Sequence, residues 1–168
     1  VDGAIDSSTN LPQVTLDELA QHSDGLICLT GGPDGPLGRF HATGQHAKAR
    51  ALLERLAAVY PNRLYVELQR HPGPGGALPE TEALAERGAI DLAYEMNLPI
   101  VATNDVYFPK PEMYEAHDAL ICIAEGAYVD QQQPRRRLTP QHYLKSPEEM
   151  AALFADLPSA WAGMVVDG

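Results

Sequence analysis

The chain has 168 residues, 45% of them hydrophobic, and carries 12 Lys plus Arg against 23 Asp plus Glu for a formal net charge of -11. That length and apolar content suit one globular domain with a sizeable core and exclude a disordered chain. The charge opposes a grip on phosphate backbones. No apolar run approaches the roughly 18 residues of a membrane span. The start "VDGAIDSSTN" lacks the basic first residues and apolar centre of a signal peptide, so a cytoplasmic protein is expected. Val1 in place of Met, and the end "MVVDG", are read as marks of a piece of a longer polypeptide.

In chain order, "TLDELAQH" opens with Thr15 and places Glu18 three residues later, the reciprocal cap of a helix start. After Gly25 comes "LICLT", a continuous apolar run with no polar alternation, which predicts a strand covered on both faces. "QHAKARALLERLAAVY" has Ala49, Leu52, Leu53, Leu56 and Val59 at helical spacing and ends at Pro61. "RLYVEL" predicts the second strand, "ETEALAERGAIDLAYEMN" a helix softened by Gly88, and "IVATN", after Pro99, the third strand. "KPEMYEAHDALICIAEG" is helical by periodicity. The Gln- and Arg-rich "VDQQQPRRRLTPQ" reads as an exposed connector, with Arg135 to Arg137 a solvated cluster rather than a nucleic-acid contact. In "SPEEMAALFADL", Ser146 caps, Pro147 takes the first helical position and Glu149 closes a second capping box.

Helices alternating with strands at this spacing predict βαβ crossovers and a parallel sheet, the α/β class. Polar residues at the carboxyl ends of such strands form the functional crevice. Here those ends carry Thr30 with Gly31 and Gly32, Glu67 with His71, and Asn104 with Asp105. Glu67, His71 and Asp105 are a carboxylate and imidazole set suited to a divalent metal. Each also has a plainer reading. Glu67 caps a neighbouring helix or pairs with Arg70, His71 is a loop residue before "PGPGG", and Asp105 makes an Asx-type turn after Asn104. A reduced site would need one of His22, His41 or His46 to join Glu67, His71 and Asp105. Cys28 and Cys122 lie in the apolar stretches "GLICL" and "ALICIA", where buried free thiols are expected rather than a bridge.

The stretches "DGLICLTGGPDGPLGR", "LYVELQRH", "LPIVATNDVYF", "MYEAHDALICIAEG" and "LTPQHYLKSPEEMAALFADLP" resemble, in this order, the latter part of the PHP (polymerase and histidinol phosphatase) domain that begins bacterial DNA polymerase III alpha subunits. The resemblance covers about residues 12 to 158. It implies part of a distorted (β/α)7 barrel with a helical C-terminal extension, divided into a partial PHP-like domain over 1–126 and a connector with C-terminal helices over 127–168. Polymerisation in that family belongs to domains further along the polypeptide. Members that hold divalent metal use a His-x-His motif at the domain start, a cysteine where Gly32 stands, and a histidine where Tyr107 stands. The resemblance therefore implies no catalytic residue and no metal in this segment, with Glu67, His71 and Asp105 as vestiges of the cluster. It implies a structural platform whose partners are the remainder of the polymerase polypeptide and other replicase subunits. The alternatives are a metal-dependent phosphoesterase or proofreading exonuclease, which needs a full ligand set, and a nucleic-acid-binding module, which the charge opposes. Bare strand edges add an expectation of self-association.

Overall fold

The computed structural model describes residues 4–5, 12–73, 75–131 and 138–158. Arg135 to Arg137 lie outside the described residues. A short antiparallel pair, β1 (Ala4–Ile5) with β2 (Pro12–Gln13), precedes α1 (Leu16–Gln21). There Thr15 and Glu18 form the reciprocal cap that the sequence announces. Three parallel strands follow in the order β3 (Cys28–Leu29), β4 (Leu64–Gln69) and β5 (Ile100–Thr103). Helices α2 (Pro36–Ala42) and α3 (His46–Val59) join the first two strands, and α4 (Glu80–Glu95) joins the second and third. Asn62 and Asn97, at φ 59 and 52, take the left-handed conformation in the turns leading into β4 and β5, one that Asn tolerates better than most residues. Beyond β5 lie a 3₁₀ turn (Pro111–Met113), α5 (Tyr114–Glu125) and α6 (Pro147–Leu153), the last with the Ser146–Glu149 capping box in place.

Register confirms the parallel α/β arrangement: Cys28 stands opposite Leu64, and Val66 opposite Ile100. Along β4 burial alternates, with Leu64, Val66 and Leu68 inside and Tyr65, Glu67 and Gln69 half-buried. The inward set joins Leu37 of α2, Leu53 and Leu56 of α3, and Ala89 and Leu92 of α4 in one core. Met150 and Phe154 belong to the same core, so α6 packs with the α/β part. The parallel sheet has three strands among the described residues, and a closed barrel is not seen there.

Two features differ from the expectation. The "LICLT" run is not covered on both faces: Leu26, Ile27 and Leu29 are 52%, 65% and 44% exposed, and Cys28 is half-buried. The reason is position. β3 is an outer strand, and among the described residues no other strand pairs with its far edge. Cys122 is buried, and both cysteines are free thiols. The second difference is α2, which periodicity did not mark. Its start has Pro36 at the first turn after Gly35, the arrangement that begins a helix without needing an amide hydrogen.

Arg70, directly after β4, is 9% exposed and ties the sheet to the C-terminal helix. Its guanidinium donates to both oxygens of Glu86 at 2.8 Å and to Asp156 at 2.6 and 2.9 Å, reaches the Leu153 carbonyl at 2.8 Å, and lies 4.6 Å from the Phe154 ring centre. The Asp156 and Glu86 hydrogen bonds raise the arginine's pKa further, so it stays charged. Replacing Arg70 with Met would leave the Glu86 carboxylate, 13% exposed, without its cation, a loss of about 3–5 kcal/mol. A urea midpoint for Arg70→Met indistinguishable from wild type would show that the clamp contributes nothing.

A second expectation concerns Gly88, inside α4. A Cβ there would lie 2.1 Å from His41 Nδ1, and His41 is only 6% exposed, so the ring has nowhere to retreat. Gly→Ala inside a helix ordinarily stabilises by about 1 kcal/mol, but overpacking of about 1–3 kcal/mol opposes it. Gly88→Ala is therefore expected to lower the thermal midpoint, and a rise would remove this reading of the glycine.

Candidate functional site at the strand ends

The carboxyl ends of β4 and β5, the start of α4 and the segment after Leu138 enclose a cleft of about 300 Å³ lined by Asp34, Arg39, Gln69, His71, Glu82, Asp105 and His142, among others. The chain reaches this cleft because β4 ends in "QRH". Arg70 turns back to α4 and α6, and His71 is carried to the opening at 2% exposure. Glu82, in the first turns of α4, accepts the His71 backbone N–H at 3.2 Å and stands 3.7 Å from its Nδ1.

His142 completes the cleft. Its ring lies flat on His71, centroids 3.9 Å apart and planes 2° from parallel. His142 Nδ1 lies 3.1 Å from the backbone N–H, the hydroxyl and the carbonyl oxygen of Thr139, so that residue holds this edge of the ring. Burial, then the neighbouring His71, push the His142 pKa below its usual value. Neither His71 nitrogen has a hydrogen-bond partner among the described residues.

The segment holding His142 is bound to "TNDVYF" along its length. Asn104 Nδ2 donates to the Tyr143 carbonyl at 2.6 Å, the Tyr107 N–H to the His142 carbonyl at 2.9 Å, and the Leu144 N–H to the Phe108 carbonyl at 3.0 Å. Phe108 and Tyr143 form an isolated parallel bridge. The Tyr107 ring meets His117 and His142 edge-on, with centroids 5.6 and 6.0 Å away.

Of the three metal candidates, His71 and Asp105 line the cleft, while Glu67 is not among its lining residues. Glu67 works inside the sheet. Its carboxylate accepts the Gly31 N–H at 2.9 Å, the Gln69 amide at 3.1 Å and the Thr103 hydroxyl, so one side chain of β4 ties the ends of all three strands. Its backbone N–H donates to Thr30 Oγ1 at 2.9 Å. Arg70 is not its partner. His22 is exposed at the end of α1, and His41 and His46 face each other across a separate cleft between α2, α3 and α4. None of these three histidines lines the strand-end cleft. His142 was missed by reading strand ends alone; its only local signal is "TPQH", a turn-forming Thr-Pro pair.

A divalent ion of the kind that active PHP relatives hold needs four or more donors around one point. Both Glu67 oxygens are engaged by strand-end donors, and His142 Nδ1 is held by Thr139. Gly32 offers no donor and has φ +57, with a Cβ there 2.5 Å from Gln69 Oε1. Among the described residues no group of three His, Cys, Asp or Glu is arranged to hold a metal ion.

A parallel βαβ sheet with polar strand ends gathered at one crevice is the frame on which the comparisons fall. Residues 2–71 match the PHP domain family. Over most of its length the chain is similar to a segment of relatives named DNA polymerase III subunit alpha: it is 52% identical over 149 residues to that of Caulobacter vibrioides and 43% identical over 147 residues to that of Pseudomonas aeruginosa. The subunit from Rickettsia bellii is 38% identical over 148 residues. These alignments take in 88–89% of this chain but 12% of each relative. No helix among the described residues is long and apolar enough to cross a membrane.

The depressed pKa of His142, and of His41, which burial lowers first and His46 second, sets a direction for acid sensitivity. Unfolding lets each ring regain the ordinary value of 6.5, so the unfolded chain binds more protons below that pH and stability falls as pH drops. The urea midpoint is expected to decline between about pH 7.5 and about pH 5.5. His142→Phe, which keeps a ring against His71, should make that decline shallower, and equal slopes would refute the assignment.

Proposed function

We propose that this segment is a non-catalytic PHP platform within a DNA polymerase III alpha subunit, supplying packing surface to the remainder of a DNA-directed DNA polymerase and to other replicase subunits rather than performing chemistry. One observation carries the reading: Glu67, the strand-end carboxylate that a metal cluster would need, is spent on joining the three strand ends. The stacking of His71 on His142 supports it, because both His71 nitrogens are buried beneath that contact. The net charge of -11 leaves direct gripping of nucleic acid to other parts of the polypeptide. The exposed Leu26, Ile27 and Leu29 of the β3 edge are where further chain, or a second copy of this one, would pack.

The competing reading is a metal-dependent phosphoesterase, favoured by the carboxylates of Glu82 and Asp105 sharing a cleft with two histidines. Dialysis against zinc or manganese, followed by metal analysis and assay on a phosphomonoester, separates the two. The platform predicts no turnover and no ion whose retention depends on Asp105. Stoichiometric metal lost in Asp105→Ala, accompanied by turnover in the unmodified chain, would restore the enzyme.

A further inference from the structure

Helix α5 has one face set against the fold and another left open. Asp118 and Cys122 are buried and Tyr114, His117 and Ile121 half-buried. The rings of Tyr114 and His117 lie 6.3 and 5.5 Å from that of Phe108, which seats this face on the segment after β5. The opposite face carries Ala116, Leu120, Ile123 and Ala124, whose three-and-four spacing makes one apolar stripe along the helix. All four are exposed, and the exposed Met113 and Tyr128 lie just before and just after the helix. Ile123, at 77%, is the most exposed large apolar side chain among the described residues. Single exposed apolar residues are ordinary on a protein surface, but a continuous stripe of them marks a contact.

Charge decides what fits there. From Val106 to Gln131 the acids are Glu112, Glu115, Asp118, Glu125 and Asp130, against Lys110 alone, and α5 itself contains no Lys or Arg. A second copy of this chain would bring the same acids against themselves, with a net charge of -11 on each partner. We propose that the α5 stripe is the docking face for an amphipathic helix of a partner polypeptide, one whose own apolar stripe is flanked by Lys and Arg. Helix on helix, Leu120 and Ile123 enter the partner's grooves. The partner's cations meet the exposed Glu112 and Glu115, which sets its direction and rejects acidic competitors. This names a face and a partner class for the platform and rests on that reading, but its test involves no metal and no turnover, so the two fail separately.

The probe is a synthetic peptide of about 18 residues, long enough to form a helix against a surface, with Leu and Ala along one stripe and Lys on both flanks. Titrated into the purified chain at low salt and followed by fluorescence anisotropy, it should bind as one equivalent. A version flanked by Glu, and a scramble of the Lys peptide that has no stripe, should each bind at least tenfold more weakly. Ile123→Gln should weaken the Lys peptide at least tenfold, and because that side chain is exposed the circular-dichroism spectrum should stay like wild type. Leu29→Gln, on the exposed β3 run, should leave binding unchanged. Equal binding of the Lys and Glu peptides, equal binding of the scramble, undiminished binding to Ile123→Gln, or loss in Leu29→Gln instead would each overturn the assignment. So would a dimer in sedimentation that Ile123→Gln dissolves, since a second copy would then be the occupant.

Discussion

The Arg70 fork is the constraint on which the rest of this structure depends. A guanidinium placed immediately after a central strand cannot be left unpaired in a dry interior, and its planar donors suit two carboxylates at once. Glu86 fixes the azimuth of α4 on the sheet, and Asp156 with the Leu153 carbonyl draws in the end of α6. Because Arg70 is committed to that side, the next residue must face the other way. The position of His71 in the cleft is thus a consequence of where its neighbour's charge is neutralised.

At the strand ends the polar residues hold one another in place. Glu67 accepts donors from all three strands and so replaces part of the backbone ladder where the short β3 runs out. Tyr107 contributes ring edges to two histidines, an arrangement that favours the negative face of one aromatic against the positive rim of another. Glu67 and Tyr107 thereby help to hold one conformation of the strand ends.

Much of this was legible in the sequence because it is local. The two capping boxes, at Thr15 and Ser146, need only residues three apart, and α3 and the strands β4 and β5 follow from short-range periodicity. What could not be read depends on distance along the chain. The partners of Arg70 lie on α4 and beyond α6, His142 reaches His71 from a separate segment, and the exposure of the β3 run reflects a missing neighbour rather than its own composition. Of the candidate residues, the sequence placed His71 and Asp105 at one opening but could not tell that Glu67 turns into the sheet, since a strand end looks the same whichever strand its carboxylate serves.

The pairing of Phe108 with Tyr143 makes the intervening chain an excursion with a single doorway. Among the described residues between them, α5 lies outside the sheet. Within α5 only Asp118 and Cys122 are buried, while Leu120 and Ile123 are 63% and 77% exposed. Chain with few buried side chains tends to open as a cooperative unit of its own, at less cost than the domain as a whole. Closing so long a loop changes entropy only logarithmically with its length. The excursion is therefore the part of this segment where evolution can lengthen, shorten or repaint the chain without the Arg70 clamp or the sheet registering the change.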